Sequence, residues 1–513
     1  MTKTRARHAP KQKSASTATT VAQEAELVEM DGAIKLLKTT RPTFYRWLRE
    51  GRIKGLKVGR QWRFRKEDIE RFLRGEGPRV ELHADIRPLF DQFNERLVKL
   101  GAEPATFARG ADEVGQVANA MAQLGVKMRA SDLHLESLNL DGKQVGLVRL
   151  RIDGALYKVA EFDHRLLVPL TDHWKGMAKC NVNVRRMTQD GRILLDVEGR
   201  QLDLRFNFFP GALGENMTMR LLDPRLTHSL DFEKWGLAPE ALEKLRAALN
   251  CPYGLIVVSG PTGTGKTSML YACINKLSGE KRKIISIEDP VEYILPWVEQ
   301  IPVKVNEGLT FHAALRAALR SAADVLMVGE IRDAEILGVS IEAVFTGHLL
   351  LTTLHTPDAA TGLARLVRMC GEPFLVADAC RLMVAQRLVR QNCRECSAEE
   401  PVQDQARLQQ VLDEARKGGL VLDGLPGKLQ RGKGCKACNF TGYHGRMLVT
   451  EMLAMSPEIG GALLRGAPVP EVRALAISQG MKTLVADAVR RLLAGETSLD
   501  EVVSLSRSMS MAE

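Results

Sequence analysis

The run Gly260-Pro261-Thr262-Gly263-Thr264-Gly265-Lys266-Thr267-Ser268 constrains this chain more than any other stretch. It fits the phosphate-loop pattern GxxxxGK(S/T), and the strand-like Leu255-Ile-Val-Val258 leads into it. The glycines let successive backbone N–H groups converge on phosphate oxygens without Cβ clashes. Lys266 would reach the β- and γ-phosphates and Thr267 would hold Mg²⁺. The helix that follows would turn its N-terminal dipole toward the anion. Strand, loop and helix in that order predict a parallel α/β domain with a nucleoside-triphosphate site.

At 513 residues the chain has room for three or four domains. It holds no apolar run of about eighteen residues, so no membrane-spanning helix is expected and any membrane role should be peripheral. The basic first residues lead into no apolar segment, so no secretory signal is expected. Residues 1–80 carry 20 Lys and Arg against 9 Asp and Glu, whereas the remainder carries 52 against 53. The basic end points to an anionic partner such as DNA or a lipid surface. Residues 1–27, rich in Lys, Ala, Ser and Thr, read as a disordered, solubilising basic tail.

Residues 28–76 read as a compact module. Asp31 is expected to cap a helix over 32–38, Thr39 to Pro42 to form a turn, and Thr43 to Arg49 a second helix ended by Gly51. Leu56-Lys-Val58 and Trp62-Arg-Phe64 flank Gly59-Arg60 as a hairpin, or wing, and a third helix runs from Glu67 to Leu73. Phe44, Trp47 and Leu48 are the expected core. The module resembles the excisionase-like, MerR-type winged helix-turn-helix, notably in YRWLREG and VGRQWRFRKEDIERFL. That resemblance implies a second helix in the DNA major groove. Arg41, Thr43, Tyr45 and Arg46 would then face bases, and Arg60, Arg63 and Arg65 phosphates. The same scaffold also serves protein docking, with its arginines as a solvated face.

Residues 77–112 read as linker with a helix near Leu89 to Leu100, and a smaller α/β domain follows over 113–228. Its expected elements are a helix over Val117 to Leu124, strands Ser131 to Glu136 and Leu147 to Ile152, and a turn at Asp153-Gly154. The nucleotide-binding domain fills 229–513.

Two further strands of that domain end in carboxylates. Lys283-Ile-Ile-Ser-Ile leads to Glu288-Asp289-Pro290-Val-Glu292, and Asp324-Val-Leu-Met-Val leads to Gly329-Glu330. A parallel sheet delivers such groups at its carboxyl ends beside the phosphates, where they organise Mg²⁺ and the attacking water. His348 and His355 flank another apolar strand. In this order EDPVE, MVGEIRD and TGHLLLTTLHT closely resemble the secretion ATPases of type II secretion systems and type IV pilus assembly, as do SDLHLE, RIDG, QDGR, MRLLD, AQRLVR and GYHGR.

The resemblance covers roughly residues 113–513 and implies a RecA-like ATPase domain preceded by a smaller PAS-like α/β domain. It implies that Glu292 is the general base or water-positioning group, that Glu330 supports Mg²⁺ and water, and that His355 and His348 sense the γ-phosphate. Arg205 and Arg220 would reach the nucleotide from the smaller domain when the two domains close. A homohexamer that hydrolyses ATP on an inner-membrane platform protein follows from the same resemblance. Two stretches depart from the family pattern. Leu319-Arg-Ser-Ala-Ala-Asp324 replaces the usual LRQDPD, and Val184-Arg-Arg-Met-Thr188 replaces a Glu-Lys-Arg-containing run. Neither removes a residue expected to touch the nucleotide.

Cys393-Arg-Glu-Cys396 and Cys435-Lys-Ala-Cys438 form two CxxC knuckles within a subdomain at 390–446. Four thiolates in that pattern suit a closed, structural Zn²⁺ site, and the other five cysteines are scattered singly. The expected function is therefore an Mg²⁺-dependent, hexameric ATPase powering pseudopilus or pilus assembly at the cytoplasmic face of the inner membrane. The N-terminal module leaves two alternatives: a DNA-linked motor, or a DNA-binding regulator whose ATPase domain is an oligomerisation switch.

Overall fold

The computed structural model describes residues 27–49, 53, 55–59, 61–73, 84–110, 112–197, 199–222, 230–422, 424 and 426–510. The expected tail, apart from Leu27, and Arg60 with its expected phosphate contact lie outside the described residues.

The larger unit is built on a seven-stranded sheet. Its strands run, edge to edge, Val298–Pro302, Ile284–Glu288, Val325–Val328, Leu349–Leu354, Gly254–Ser259, Cys380–Asn392 and Tyr443–Ala454. All neighbours are parallel except the last pair. The four middle strands from Ile284–Glu288 to Gly254–Ser259 are buried at every residue, as a sheet covered on both faces requires. Alternate side chains feed two cores. Leu255, Val257, Ile285, Ile287, Leu326 and Leu350 enter one; Ile256, Val258, Ile284, Met327 and Leu351 enter the other with helix Lys266–Leu277. This is the RecA-like sheet expected from the sequence.

The smaller unit is a six-stranded antiparallel sheet in the order Ala155–Phe162, Lys143–Ile152, Ala130–Leu140, Gly214–Leu222, Arg200–Gly211, Gln189–Val197. Helices Arg87–Lys99, Glu113–Lys127 and Leu167–Met177 contribute to its core. The first of these falls in the segment read as linker. Leu89, Phe90, Phe93 and Leu97 are buried in the smaller unit's core, and Gln92 Nε2 donates to Glu161 O at 2.9 Å. Residues 87–99 therefore belong to this unit, a correction to the linker reading. The sheet's other face carries a register row in which Arg151 pairs with Asp132, Asp132 with Arg220, Arg220 with Arg205 and Arg205 with Arg192. Directly opposed residues share a face, so these groups stand side by side.

The N-terminal module holds helices Met30–Leu36, Arg41–Arg49 and Lys66–Leu73 and a sheet in the order Leu27–Glu29, Gln61–Arg65, Leu56–Val58. Phe44 and Phe64 meet edge to face at 4.9 Å in its core, with Trp47 and Leu48 packed against them. Two local expectations need correction. Asp31 lies in the first turn of its helix rather than at the cap, and its carboxylate accepts from Arg41 Nη2 at 2.9 Å. The second helix starts at Arg41, because the fixed φ of Pro42 suits a helical first turn.

Candidate nucleotide site and metal centre

Parallel topology brings four strand ends to one edge of the larger sheet: Ser259 before the phosphate loop, Glu288 before Asp289, Val328 before Glu330, and Leu354 before His355. Gly260 sits at φ +152°, and a Cβ there would stand 2.7 Å from Gln386 O. Gly265, at φ +84°, opens the helix that starts at Lys266. Both places demand glycine. Thr264 Oγ1 donates to Pro261 O at 2.9 Å and Gln386 Nε2 to Thr264 O at 2.7 Å, so the loop is held by its own sheet. Pro261, Thr262, Gly263, Thr267 and Ser268 are exposed to an incoming ligand.

Lys266 Nζ donates to Gly260 O at 2.7 Å and Pro261 O at 3.0 Å and lies 3.4 Å from His355 Nδ1. Burial lowers its pKa to about 8; Arg387 adds to the shift and Glu330 opposes it. Below that value the ammonium is already charged, whereas above it a triphosphate must recruit a proton on binding. Nucleotide affinity should therefore fall as pH rises from about 8 to about 10. Calorimetry in buffers of different ionisation enthalpy should show proton uptake at about pH 9 and little at about pH 7.

His355 Nε2 lies 3.1 Å from Glu330 Oε2. A carboxylate only accepts, so the ring donates from Nε2 to Glu330. Burial pushes the Glu330 carboxyl up, but hydrogen bonds and charge from Arg332 and His355 outweigh it and hold the group below its ordinary value. Arg332 also reaches Asp289 Oδ2 at 3.4 Å. Lys266, His355, Glu330, Arg332 and Asp289 thus form one polar chain beside the loop.

Glu292 accepts from Arg205 Nη1 at 2.8 Å, and its backbone N–H donates to Tyr271 Oη at 3.3 Å. Acid and arginine come from different units and meet at their junction. Glu288 plays another part. It is 3% exposed and accepts from Tyr271 Oη, from Ser286 Oγ at 2.6 Å and from Gln300 Nε2 at 2.9 Å. It anchors the tyrosine that supports Glu292. Tyr271, Gln300 and Gln386 were not singled out by sequence reasoning, because each owes its place to a long-range contact; nor was Arg332, which bonds Glu330 two residues away and reaches Asp289.

His348 is not brought to the site. It precedes the strand that His355 follows, roughly 20 Å away at about 3.3 Å per residue. Its Nδ1 meets Ala343 O at 2.9 Å, and its carbonyl accepts from Gly254 N at the start of the phosphate-loop strand. A γ-phosphate sensor at His348 is therefore corrected for this chain: one extended strand puts its two flanking histidines at opposite sheet edges. Arg220 stands beside Arg205, but its Nε is held by Asp132 Oδ1 at 3.1 Å. In the N-terminal module Arg41 pairs with Asp31 and Arg63 with Glu29 at 2.7 Å. Thr43 Oγ1 meets Thr40 Oγ1 at 2.9 Å, Tyr45 is exposed, and neither Arg46 nor Arg65 is without a partner.

The sulfurs of Cys393, Cys396, Cys435 and Cys438 lie within 4.8 Å of one another. Three of their separations are 3.8, 3.9 and 3.8 Å. A tetrahedron with metal–sulfur bonds of about 2.3 Å has edges of about 3.8 Å, so the cage fits a closed four-thiolate metal site. Backbone N–H groups of Gly434, Cys435 and Gly442 donate to Cys396 or Cys438 sulfur, which favours thiolates.

A family model described as Type II/IV secretion system protein matches residues 108–504, and one described as Helix-turn-helix domain matches residues 32–77. The type II secretion system protein HxcR of Pseudomonas aeruginosa is 38% identical over 389 residues, which is 76% of this chain and 76% of that protein. The type IV pilus assembly ATPase PilB of Myxococcus xanthus is 35% identical over 443 residues, 85% of this chain and 75% of its own. Among solved structures, the ATPase DotB of Legionella pneumophila covers 80% of this chain and 98% of its own, with a TM-score of 0.55 at 19% identity. That last likeness is one of fold. Beside a phosphate loop, acidic strand ends and a tetracysteine cage, the family match over residues 108–504 and the 35–38% identities show that the chain belongs to the type II/IV secretion system protein family and is an ATPase.

Proposed function

We propose that this chain powers type II secretion or type IV pilus assembly, working as a homohexamer at the cytoplasmic face of the inner membrane on a membrane platform protein. Its relatives HxcR and PilB carry those roles in their names. Among the described residues no helix is long and apolar enough to cross a membrane. The observation that carries the reading is the meeting of Arg205 with Glu292 across the junction, at the same end of the sheet as the chain Lys266, His355 and Glu330.

Lys266, Thr267 and the loop's N–H groups would hold ATP with Mg²⁺, which when bound neutralises charge on the β- and γ-phosphates. Glu292 orients or deprotonates the attacking water, and Glu330, held by His355, keeps its carboxylate ionised for the metal side. Arg205 offers a permanently charged fork that trades Glu292 for phosphate. That exchange frees the base as it delivers the cation, and it couples hydrolysis to the spacing of the two units. In the organism that makes this protein, Lys266→Ala at normal protein level should abolish secretion or surface pili. Unchanged secretion and piliation would sink the proposal.

Zn²⁺ is the ion the four thiolates fit, in a structural role. Metal analysis should find about one zinc per chain. Cys438→Ser should lose it and lower the melting temperature by on the order of 10 °C, since metal binding there is folding free energy. A melting curve indifferent to the substitution would remove the structural role.

The helix-turn-helix match and the basic excess before residue 80 favour a second reading, in which the module places the motor on duplex DNA or makes the chain a DNA-binding regulator. In that reading Arg41, Thr43, Tyr45 and Arg46 face bases, and Arg63 and Arg65 meet phosphates. DNA-stimulated hydrolysis lost on removing residues 1–76 would support it, and hydrolysis indifferent to DNA would reject it.

A further inference from the structure

The metal knuckle touches the smaller unit at two points. Asn439, directly after Cys438, donates from Nδ2 to Met128 O at 3.0 Å, at the end of helix Glu113–Lys127. Gly445 N donates to Asp153 Oδ2 at 3.1 Å. Asp153 and Gly154, at φ +49° and +89°, form the tight turn between strands Lys143–Ile152 and Ala155–Phe162. An Asp-Gly pair suits such a turn on local grounds alone. A turn carboxylate normally faces water, however, and this one is only 11% exposed, with the Arg129 guanidinium 3.6 Å from the same Oδ2. The turn lines a cleft whose other wall includes Gly263 and Thr264 of the phosphate loop, together with Arg390 and Arg446. Arg390 Nη1 reaches Tyr157 Oη at 3.3 Å on the same hairpin.

We propose that Asp153 is a positioning residue, whose carboxylate latches the smaller unit to the strand leaving the metal knuckle and so sets how Arg205 stands to the phosphate loop. Arg151, two residues before it, begins the register row that runs through Asp132 and Arg220 to Arg205. In this proposal a displacement of the turn is carried along that row to Arg205. Misplacing a reacting group by about 1 Å can cost on the order of 10²-fold in rate. The proposal rests on the nucleotide reading of the cleft given above.

Asp153→Gly tests it, because glycine takes φ +49° without strain and removes only the carboxylate. Asp153→Asn keeps an oxygen for Gly445 N and tolerates the left-handed turn. In the full-length protein, Asp153→Gly should bind a non-hydrolysable ATP analogue, hold its metal and melt as the parent does. Its kcat should fall on the order of tenfold to a hundredfold with KM unchanged. The Gly445 amide should exchange its hydrogen faster in Asp153→Gly, and Asp153→Asn should restore both kcat and exchange. Parental kcat or parental exchange at Gly445 in Asp153→Gly would overturn the latch, as would an Asp153→Asn as impaired as Asp153→Gly. Failure of the ATPase reading itself would show separately, as no hydrolysis by the parent.

Discussion

Replacing Arg205 with alanine is expected to cut kcat on the order of 10³- to 10⁵-fold, the range for a transition-state arginine brought in by a moving element. The residue stands on strand Arg200–Gly211 of the smaller unit, and its Nη1 lies 2.8 Å from Glu292 of the larger one. Lysine should not rescue, because an ammonium cannot span carboxylate and phosphate with a planar fork. Arg220→Ala should cost less, since Asp132 holds that head group at 3.1 Å and it is 59% exposed. Steady-state kinetics of the two alanine variants side by side decide the matter. Equal losses would mean that the row acts as a whole and Arg205 has no special place.

Glu330→Gln is expected to lower kcat on the order of 10²- to 10⁴-fold while nucleotide affinity stays near the parent's. The amide keeps the size of the carboxylate and an oxygen for His355 Nε2, so the fold around the 3.1 Å contact should survive. It gives up the negative charge that Arg332 and His355 hold in place and that a metal-bound water would need. Lys266, the proposed phosphate contact, remains anchored by Gly260 O and Pro261 O. Binding of a fluorescent ATP analogue and single-turnover hydrolysis separate the two effects. Persistent turnover would remove Glu330 from the chemistry and leave Glu292 to act alone.

The parts legible in the sequence were those written in local patterns. The phosphate loop, the fully buried strands before it and after it, and the two CxxC knuckles each state their geometry within a few residues. Helix Arg87–Lys99 was visible as a helix, but only its packing of Leu89, Phe90, Phe93 and Leu97 assigns it to the smaller unit's core. Three carboxylates in EDPVE could not be ranked by spacing. Burial and three donors make Glu288 an anchor, whereas Glu292 meets the arginine. The two histidines were a legible distinction that sequence reasoning passed over, since six extended residues between them already forbid a shared site. Asp153 looks in sequence like any hairpin turn, and only the return of the chain at Gly445 gives its carboxylate a partner.

The most direct test of an ATPase site closed at the domain junction is phosphate release by the purified full-length protein and by Lys266→Ala, each with Mg²⁺ and with a chelator. The geometry around Lys266, Glu330, Glu292 and Arg205 calls for Mg²⁺-dependent hydrolysis by the parent and none above background by Lys266→Ala. Hydrolysis that survives Lys266→Ala, or a parent that binds nucleotide yet releases no phosphate with Mg²⁺, would contradict it.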